Sequence, residues 1–155
     1  MKVKNKKMIV AGVAVCTVLL ACSFPAFLIY ENVTYKKYAG KEIYSNKNHE
    51  LILTYHNKDI DLSSYDTSAL VTQLQYRHRQ LYFGDIHSDK NERIRLTSPE
   101  ITITLFPKDD KSVALEFDMQ RGIDRTYTLT DVNFNQLLDV CYKITGDDIF
   151  VVSGK

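Results

Sequence analysis

The stretch SVALEFDMQRGIDRTYTL, residues 112–129, decides the fold class of this 155-residue chain. Its first half alternates apolar residues with small or charged ones. The apolar positions are Val113, Leu115, Phe117 and Met119. Strict alternation is typical of a β-strand with one buried and one solvated face, as in an antiparallel sheet. Residues 120–124 predict a turn, and the alternation resumes at Tyr127.

The same period of two extends toward the N-terminus. Alternating apolar residues predict two strands within 94–105, which Pro99 separates and a turn at 107–111 follows. Further upstream, residues 51–56 alternate in the same way, and residues 57–59 predict a turn into a short strand at 60–62. The sequence therefore predicts a hairpin near the start of a domain and three or four further strands later.

Two segments have helical spacing instead. Leu70, Leu74 and Leu81 predict a buried helix face that begins after a cap at Asp66 and ends near Gly84. A second helix is predicted after residue 132, because asparagine followed three positions later by glutamine is typical of a capping box.

The second predicted helix starts at Asn133 and ends at Gly146, and residues 149–152 predict a closing strand.

The order of elements indicates an α+β protein: an N-terminal transmembrane or signal helix, then a two-layer domain in which two helices pack on one face of an antiparallel sheet. The other face should expose polar residues to solvent, and it offers a surface for a partner as an alternative. Its predicted members are Thr102, Thr104, Glu116, Asp118, Thr126 and Thr128.

The N-terminal segment predicts a membrane helix. Residues 8–30 are apolar, carry no charged side chain and would be about 34 Å long as a helix, which is enough to cross a bilayer. Four lysines precede this stretch, at Lys2, Lys4, Lys6 and Lys7. Because positive flanks stay on the cytoplasmic side, we expect a single-pass protein whose following domain lies outside the cell membrane.

A lipid anchor is the alternative. Leu19-Leu20-Ala21-Cys22 resembles the lipobox of bacterial lipoproteins, and this resemblance implies cleavage before Cys22 and lipidation of its thiol. Residues 23–30 remain apolar, whereas a polar tether usually follows a lipobox, so the uncut helix is favoured.

Cys141 lies on the apolar face of the second predicted helix, which indicates a buried thiol rather than a reactive one.

We divide the chain into a membrane anchor or lipoprotein signal at 1–30, a juxtamembrane connector at 31–40 and an extracytoplasmic α+β domain at 41–155.

The four N-terminal lysines contribute +4 to a formal net charge of +1, which leaves −3 for the rest of the chain. A slightly acidic domain lacks the positive surface that phosphate binding needs, so we expect no nucleic-acid partner.

Asp85, His87 and Asp89 are candidate metal ligands. Alternate positions in an extended segment direct side chains to one side, and oxygen and nitrogen ligands suit zinc or manganese. A fourth ligand would have to come from a histidine elsewhere, at His49, His56 or His78. The flanking residues are typical of a solvated loop, which is the alternative, and we expect no bound cofactor.

A cationic cluster lies near the end of the first predicted helix, at Arg77, His78 and Arg79. Cations are favoured there because the last carbonyl groups of a helix carry partial negative charge. An anion site would need a contribution from Arg93 or Arg95 in a later strand.

The sequence predicts a membrane-tethered binding or accessory domain that contacts a protein or another envelope component. The alternative is a membrane-tethered hydrolase or metal-dependent enzyme that uses Asp85, His87 and Asp89. The lysine-rich start, the single apolar segment and the frequent use of Lys, Asn and Tyr resemble small membrane-anchored or lipoprotein-like proteins of Gram-positive bacteria. This resemblance is compositional, and it implies a location rather than a mechanism.

Overall fold

The structure is a computed structural model that describes residues 2–43, 50–75, 79–82, 92–119 and 125–151. The chain divides into two compact units, Met1–Lys36 and Lys37–Lys155. The first unit is helical, and the second contains the sheet with its associated helices.

Helix α1, Lys2–Lys36, forms the first unit and has Pro25 inside it. Every side chain that the structure describes between residues 13 and 30 is exposed, and the helix is long and apolar enough to span a membrane. The hydroxyl of Thr17 donates to the carbonyl oxygen of Val13 at 2.9 Å, so this polar group has its partner within the helix. The predicted apolar N-terminal helix is confirmed.

Within the described residues, the second unit contains a seven-stranded sheet in which all neighbouring strands are antiparallel. The strands are β1 Ile52–Tyr55, β2 Lys58–Asp61, β3 Arg79–Leu81, β4 Ile94–Thr97, β5 Ile101–Asp109, β6 Ser112–Met119 and β7 Arg125–Thr130. Their order across the sheet is β2-β1-β4-β5-β6-β7-β3, so β2 and β3 lie at the two edges. The predicted α+β class and antiparallel sheet are confirmed.

The β1–β2 hairpin turns through His56 and Asn57. Their φ angles are 45° and 61°, and positive φ at both central residues is the requirement of a type I′ turn. The twist of this turn matches the twist of the flanking strands. The predicted turn at 57–59 is therefore wrong by about one residue, because Lys58 and Asp59 already belong to β2.

One face of the sheet is apolar. The register aligns Leu53, Leu96, Ile103 and Phe117 across β1, β4, β5 and β6, and each of them is at most 1% exposed. Burial of a side chain of this size stabilises the fold by roughly 1.5–3 kcal/mol. The alternation in the sequence thus corresponds to an apolar face and a mostly polar one, on which Phe106 and Ala114 are nevertheless buried.

Aromatic rings from other elements pack on this apolar face. Tyr38, in a π-helical segment at Lys37–Glu42, lies 6.1 Å from Phe117 between ring centroids. Tyr55 contacts Phe150 at 5.5 Å and Phe134 at 6.4 Å. Phe134 begins helix α3, Phe134–Thr145, and Phe150 ends a short 3₁₀ helix, Asp148–Phe150.

Helix α3 has the ends that the sequence predicts. Asn133 and Gln136 form a capping box, with the Asn133 side chain accepting from the Gln136 amide at 2.8 Å. Gly146 ends the helix with a φ of 68°, in the left-handed region. The closing strand predicted at 149–152 is wrong as far as the structure describes it, because Ile149 and Phe150 belong to the 3₁₀ helix.

The first predicted helix is shorter than expected. Helix α2 spans Ser68–Gln75, and Asp66 accepts from the Ser68 amide at 3.0 Å, which confirms the predicted cap. Leu81 lies in strand β3 instead, opposite Tyr127 of β7. Leu81 fits either assignment by spacing alone, and pairing with β7 places it on the apolar side of the sheet.

Candidate binding face of the sheet

The face opposite the apolar one is rich in threonine. Seven threonines share it among the described residues, and together we call them the threonine face: Thr54, Thr97, Thr102, Thr104, Thr126, Thr128 and Thr130. Thr104 lies opposite Glu116, and Glu116 lies opposite Thr126. The six residues predicted to share the polar face therefore do share it.

The threonine face is not uniformly exposed. Thr104 is 7% exposed and Thr128 is 4% exposed, so the prediction of solvent exposure is wrong for these two residues. Both lie on inner strands: Thr104 lies between Arg95 and Glu116, and Thr128 lies between Ala114 and Gln80. The other threonines are partly exposed.

Lys108 extends over the part of this face next to β3. Its Nζ atom donates to the Thr128 hydroxyl at 3.1 Å and lies 4.9 Å from the centroid of the Tyr82 ring. A cation over an aromatic ring is attracted by the electron density of the ring face. The sequence gives no signal for this cluster, because Lys108 and Thr128 are 20 positions apart and meet only through the register of the sheet.

Charges of both signs lie among the hydroxyl groups. Arg95 and Glu116 flank Thr104 on the two neighbouring strands, and Asp118 is exposed on β6. Interfaces between proteins commonly use such mixed polar groups for direct and water-mediated hydrogen bonds. The face is therefore chemically suited to bind a polar protein surface.

The edge strand β2 continues this face. Asp59 and Asp61 are opposite Thr54 and Ile52 of β1, so their side chains lie on the threonine-face side. Asp59 accepts from the Thr54 hydroxyl at 2.7 Å, and Asp61 accepts from the Ser63 amide at 2.8 Å. The hydrogen bonds from Ser63 lower the pKa of Asp61 below its ordinary value.

The predicted metal site lies outside the described residues. Asp85, His87 and Asp89 are within 83–91, and His49 and His78 also fall in gaps of the description. His56 is described, and its ring stacks on Tyr55 at 4.1 Å in the β1–β2 turn. Among the described residues, no three His, Cys, Asp or Glu side chains are grouped so as to hold a metal ion. The metal site stays a prediction.

Arg79 and Arg95, two described members of the predicted cationic cluster, lie on opposite faces of the sheet. Arg79 lies opposite Leu129 at the β3 edge, on the apolar side of the sheet. Arg95 lies opposite Thr104 on the threonine face, three strands away from β7. Arg77 and His78 lie outside the described residues.

The described cysteines differ in their surroundings. Cys141 is fully buried on α3, and burial raises the pKa of its thiol to about 12, in agreement with the predicted unreactive role. Cys22 is exposed on α1, which continues as a helix for 14 residues beyond it to Lys36.

Comparison of the chain with protein-family models, with curated proteins and with solved structures finds no match.

Proposed function

We propose that the chain is a membrane-tethered accessory or binding protein, with α1 as its anchor and the sheet domain on the non-cytoplasmic side. The domain contacts a protein or another envelope component through the threonine face. The partner surface is polar, because the face offers hydroxyl groups and charges of both signs rather than an apolar patch.

The exposure of α1 carries this proposal. Large apolar side chains along the helix stand open, among them Leu19 at 63%, Phe24 at 63% and Ile29 at 65%. Water penalises exposed hydrocarbon at about 25 cal/mol per Å², so a run of this length is stabilised by lipid. The sheet domain has its own core, in which residues such as Leu115 and Leu129 are fully buried.

The orientation is tested in cells that express the full chain with an epitope tag at its N-terminus. Protease added outside intact cells or spheroplasts should degrade the domain and leave the tagged N-terminal fragment protected. The lysines before α1 are the physical reason for this orientation. Protection of the domain, with loss of the tag, would place the domain on the cytoplasmic side and contradict the proposal.

Partner binding is tested by site-specific photo-crosslinking of the full chain in its native membrane. A photoreactive residue in place of Thr102 or Thr126, which are partly exposed on the threonine face, should give a defined and saturable adduct. Asn135 and Asp139, which are exposed on α3, are matched control positions. Equal adducts at all four positions, or none at the two threonines, would contradict binding through this face.

A further inference from the structure

Strand β2 has its main-chain groups arranged for the addition of another strand. In a two-residue hairpin the residues that flank the turn, Tyr55 and Lys58, form a hydrogen-bonded pair, and such pairs recur at every second position. The bond from the Leu62 amide to the Leu51 carbonyl oxygen, at 2.8 Å, continues this series. The N–H and C=O groups of Asp59 and Asp61 consequently point away from β1, toward the edge of the sheet.

The side chains at this edge define what can pair with it. A residue placed opposite Asp59 or Asp61 has its side chain beside a carboxylate on the threonine-face side. Both aspartates are exposed, and Lys58, the cation of the same strand, is already paired with Asp147 at 2.5 Å. On the other side of the edge, the half-buried Ile60 offers an apolar contact.

The same arrangement disfavours a second copy of β2 as the occupant. In an antiparallel pairing of two β2 edges, residues whose N–H and C=O groups point outward in one strand must lie opposite residues whose N–H and C=O groups point outward in the other. These residues are Asp59 and Asp61 in both copies, so each register that overlaps the strands fully brings one carboxylate opposite another. Like charges directly opposite each other are destabilising.

We propose that the β2 edge binds an extended segment of a partner protein that has Lys or Arg at alternate positions, added antiparallel as an eighth strand. This inference rests on the binding role proposed above and identifies the chemistry of the partner segment. Main-chain hydrogen bonds to Asp59 and Asp61 hold the added strand. Cationic side chains opposite the two carboxylates determine its register, and apolar residues between them lie beside Ile60.

The test uses the full chain in nanodiscs of uncharged phosphatidylcholine, and a fluorescent peptide in which Lys and Val alternate. Fluorescence anisotropy should detect saturable binding of this peptide and not of the peptide with Glu in place of Lys. The variant Asp59→Asn/Asp61→Asn keeps both acceptor oxygens and should bind between about twofold and thirtyfold more weakly. The matched variant Asp110→Asn/Asp139→Asn removes the same charge from exposed positions outside the threonine face and β2, and it should bind like the wild type.

Two methylated peptides separate strand addition from simple charge attraction. Methylation of the main-chain nitrogens of the Lys residues removes the donors that face β2 in the antiparallel arrangement, and it should abolish binding. Methylation of the Val nitrogens, which point away from β2, should preserve it. Equal binding of both methylated peptides, or binding that both pairs of Asp variants weaken equally, would overturn the proposal.

The outcome also separates this inference from the proposed function. Failure of the peptide experiment together with a defined adduct at Thr102 or Thr126 would remove strand addition and leave binding through the threonine face. Self-association of Asp59→Asn/Asp61→Asn without peptide binding would show that the two carboxylates only protect the edge, and this result would also overturn the inference.

Discussion

The surroundings of Cys141 determine its chemistry. Burial raises the pKa of this thiol from 9.0 to about 12, so at pH 8 its thiolate fraction is about a thousandfold lower than that of an ordinary cysteine. The full-length variant Cys16→Ser/Cys22→Ser retains Cys141 as its single cysteine. We expect a disulfide reagent to react with this thiol at least about a thousandfold more slowly in the folded variant than in the same variant unfolded by guanidinium. Rapid reaction in the folded protein would contradict the buried position.

Asp147 makes the stability of the domain dependent on acid pH. Its carboxylate accepts from Lys58 and, at 3.1 Å, from the Ile149 amide, and these hydrogen bonds lower its pKa below the ordinary value. The stabilisation is therefore present above the pKa of the unfolded chain, about 3.9, and it is lost as the pH falls through the lower pKa of the folded state.

We expect Asp147→Asn to lower the melting temperature at pH 7, and the difference from the wild type to disappear as the pH falls below about 4. Because the ion pair is partly exposed, high salt should also reduce the difference. Asp148→Asn, at the neighbouring exposed position, is the control and should have little effect at any pH. A difference for Asp147→Asn that is constant from pH 7 to pH 2 would contradict this explanation.

At the scale of single elements, the start of α3 depends on its cap. Asn133→Ala removes the acceptor for the Gln136 amide and the partner of the capping box, and it should reduce the free energy of unfolding by about 1 kcal/mol. Denaturation of the full chain by urea in mild detergent measures this change. Asn135→Ala, on the exposed side of the same turn, should leave stability equal or slightly higher. Equal effects of the two substitutions would show that the cap contributes nothing.

Elements with strong local signals could be predicted from the sequence, and elements that depend on distant partners could not. The alternation at the start of β5 and along β6 and both ends of α3 are local properties of the chain, and these predictions are confirmed. The turn predicted at 107–111 is wrong at its start, because β5 continues to Asp109. Strand β3 exists because it pairs with β7, which local spacing cannot reveal. The same reason accounts for the unpredicted contact of Lys108 with Thr128.

The candidate face was predictable in composition but not in exposure. Alternation alone assigns Thr104 and Thr128 to the polar side of the sheet, and the register agrees. Their burial depends on which side chains flank them on neighbouring strands, and that information requires the strand order. The direction in which the main-chain groups of β2 point likewise depends on the turn, which the sequence placed one residue too late.

For the whole molecule, the mass of the mature chain distinguishes the proposed uncut membrane helix from the lipoprotein alternative. If α1 remains intact through Cys22, the mature protein has the mass of the uncut chain, and Cys22→Ser is retained in the carbonate-washed membrane fraction like the wild type. We expect this result because the helix remains apolar and exposed beyond Cys22. Intact mass spectrometry measures it, and a shorter chain that carries acyl groups would show that the lipoprotein alternative is correct.

The position of β3 beside β7 has a consequence for how the protein is made. Their ladder joins Arg79 to Leu129, fifty positions later, so a long loop must close before the edge strand has a neighbour. Sheets with such distant pairings fold in milliseconds to seconds rather than microseconds. During synthesis, β3 therefore has no partner strand until the ribosome has released the chain as far as Thr130.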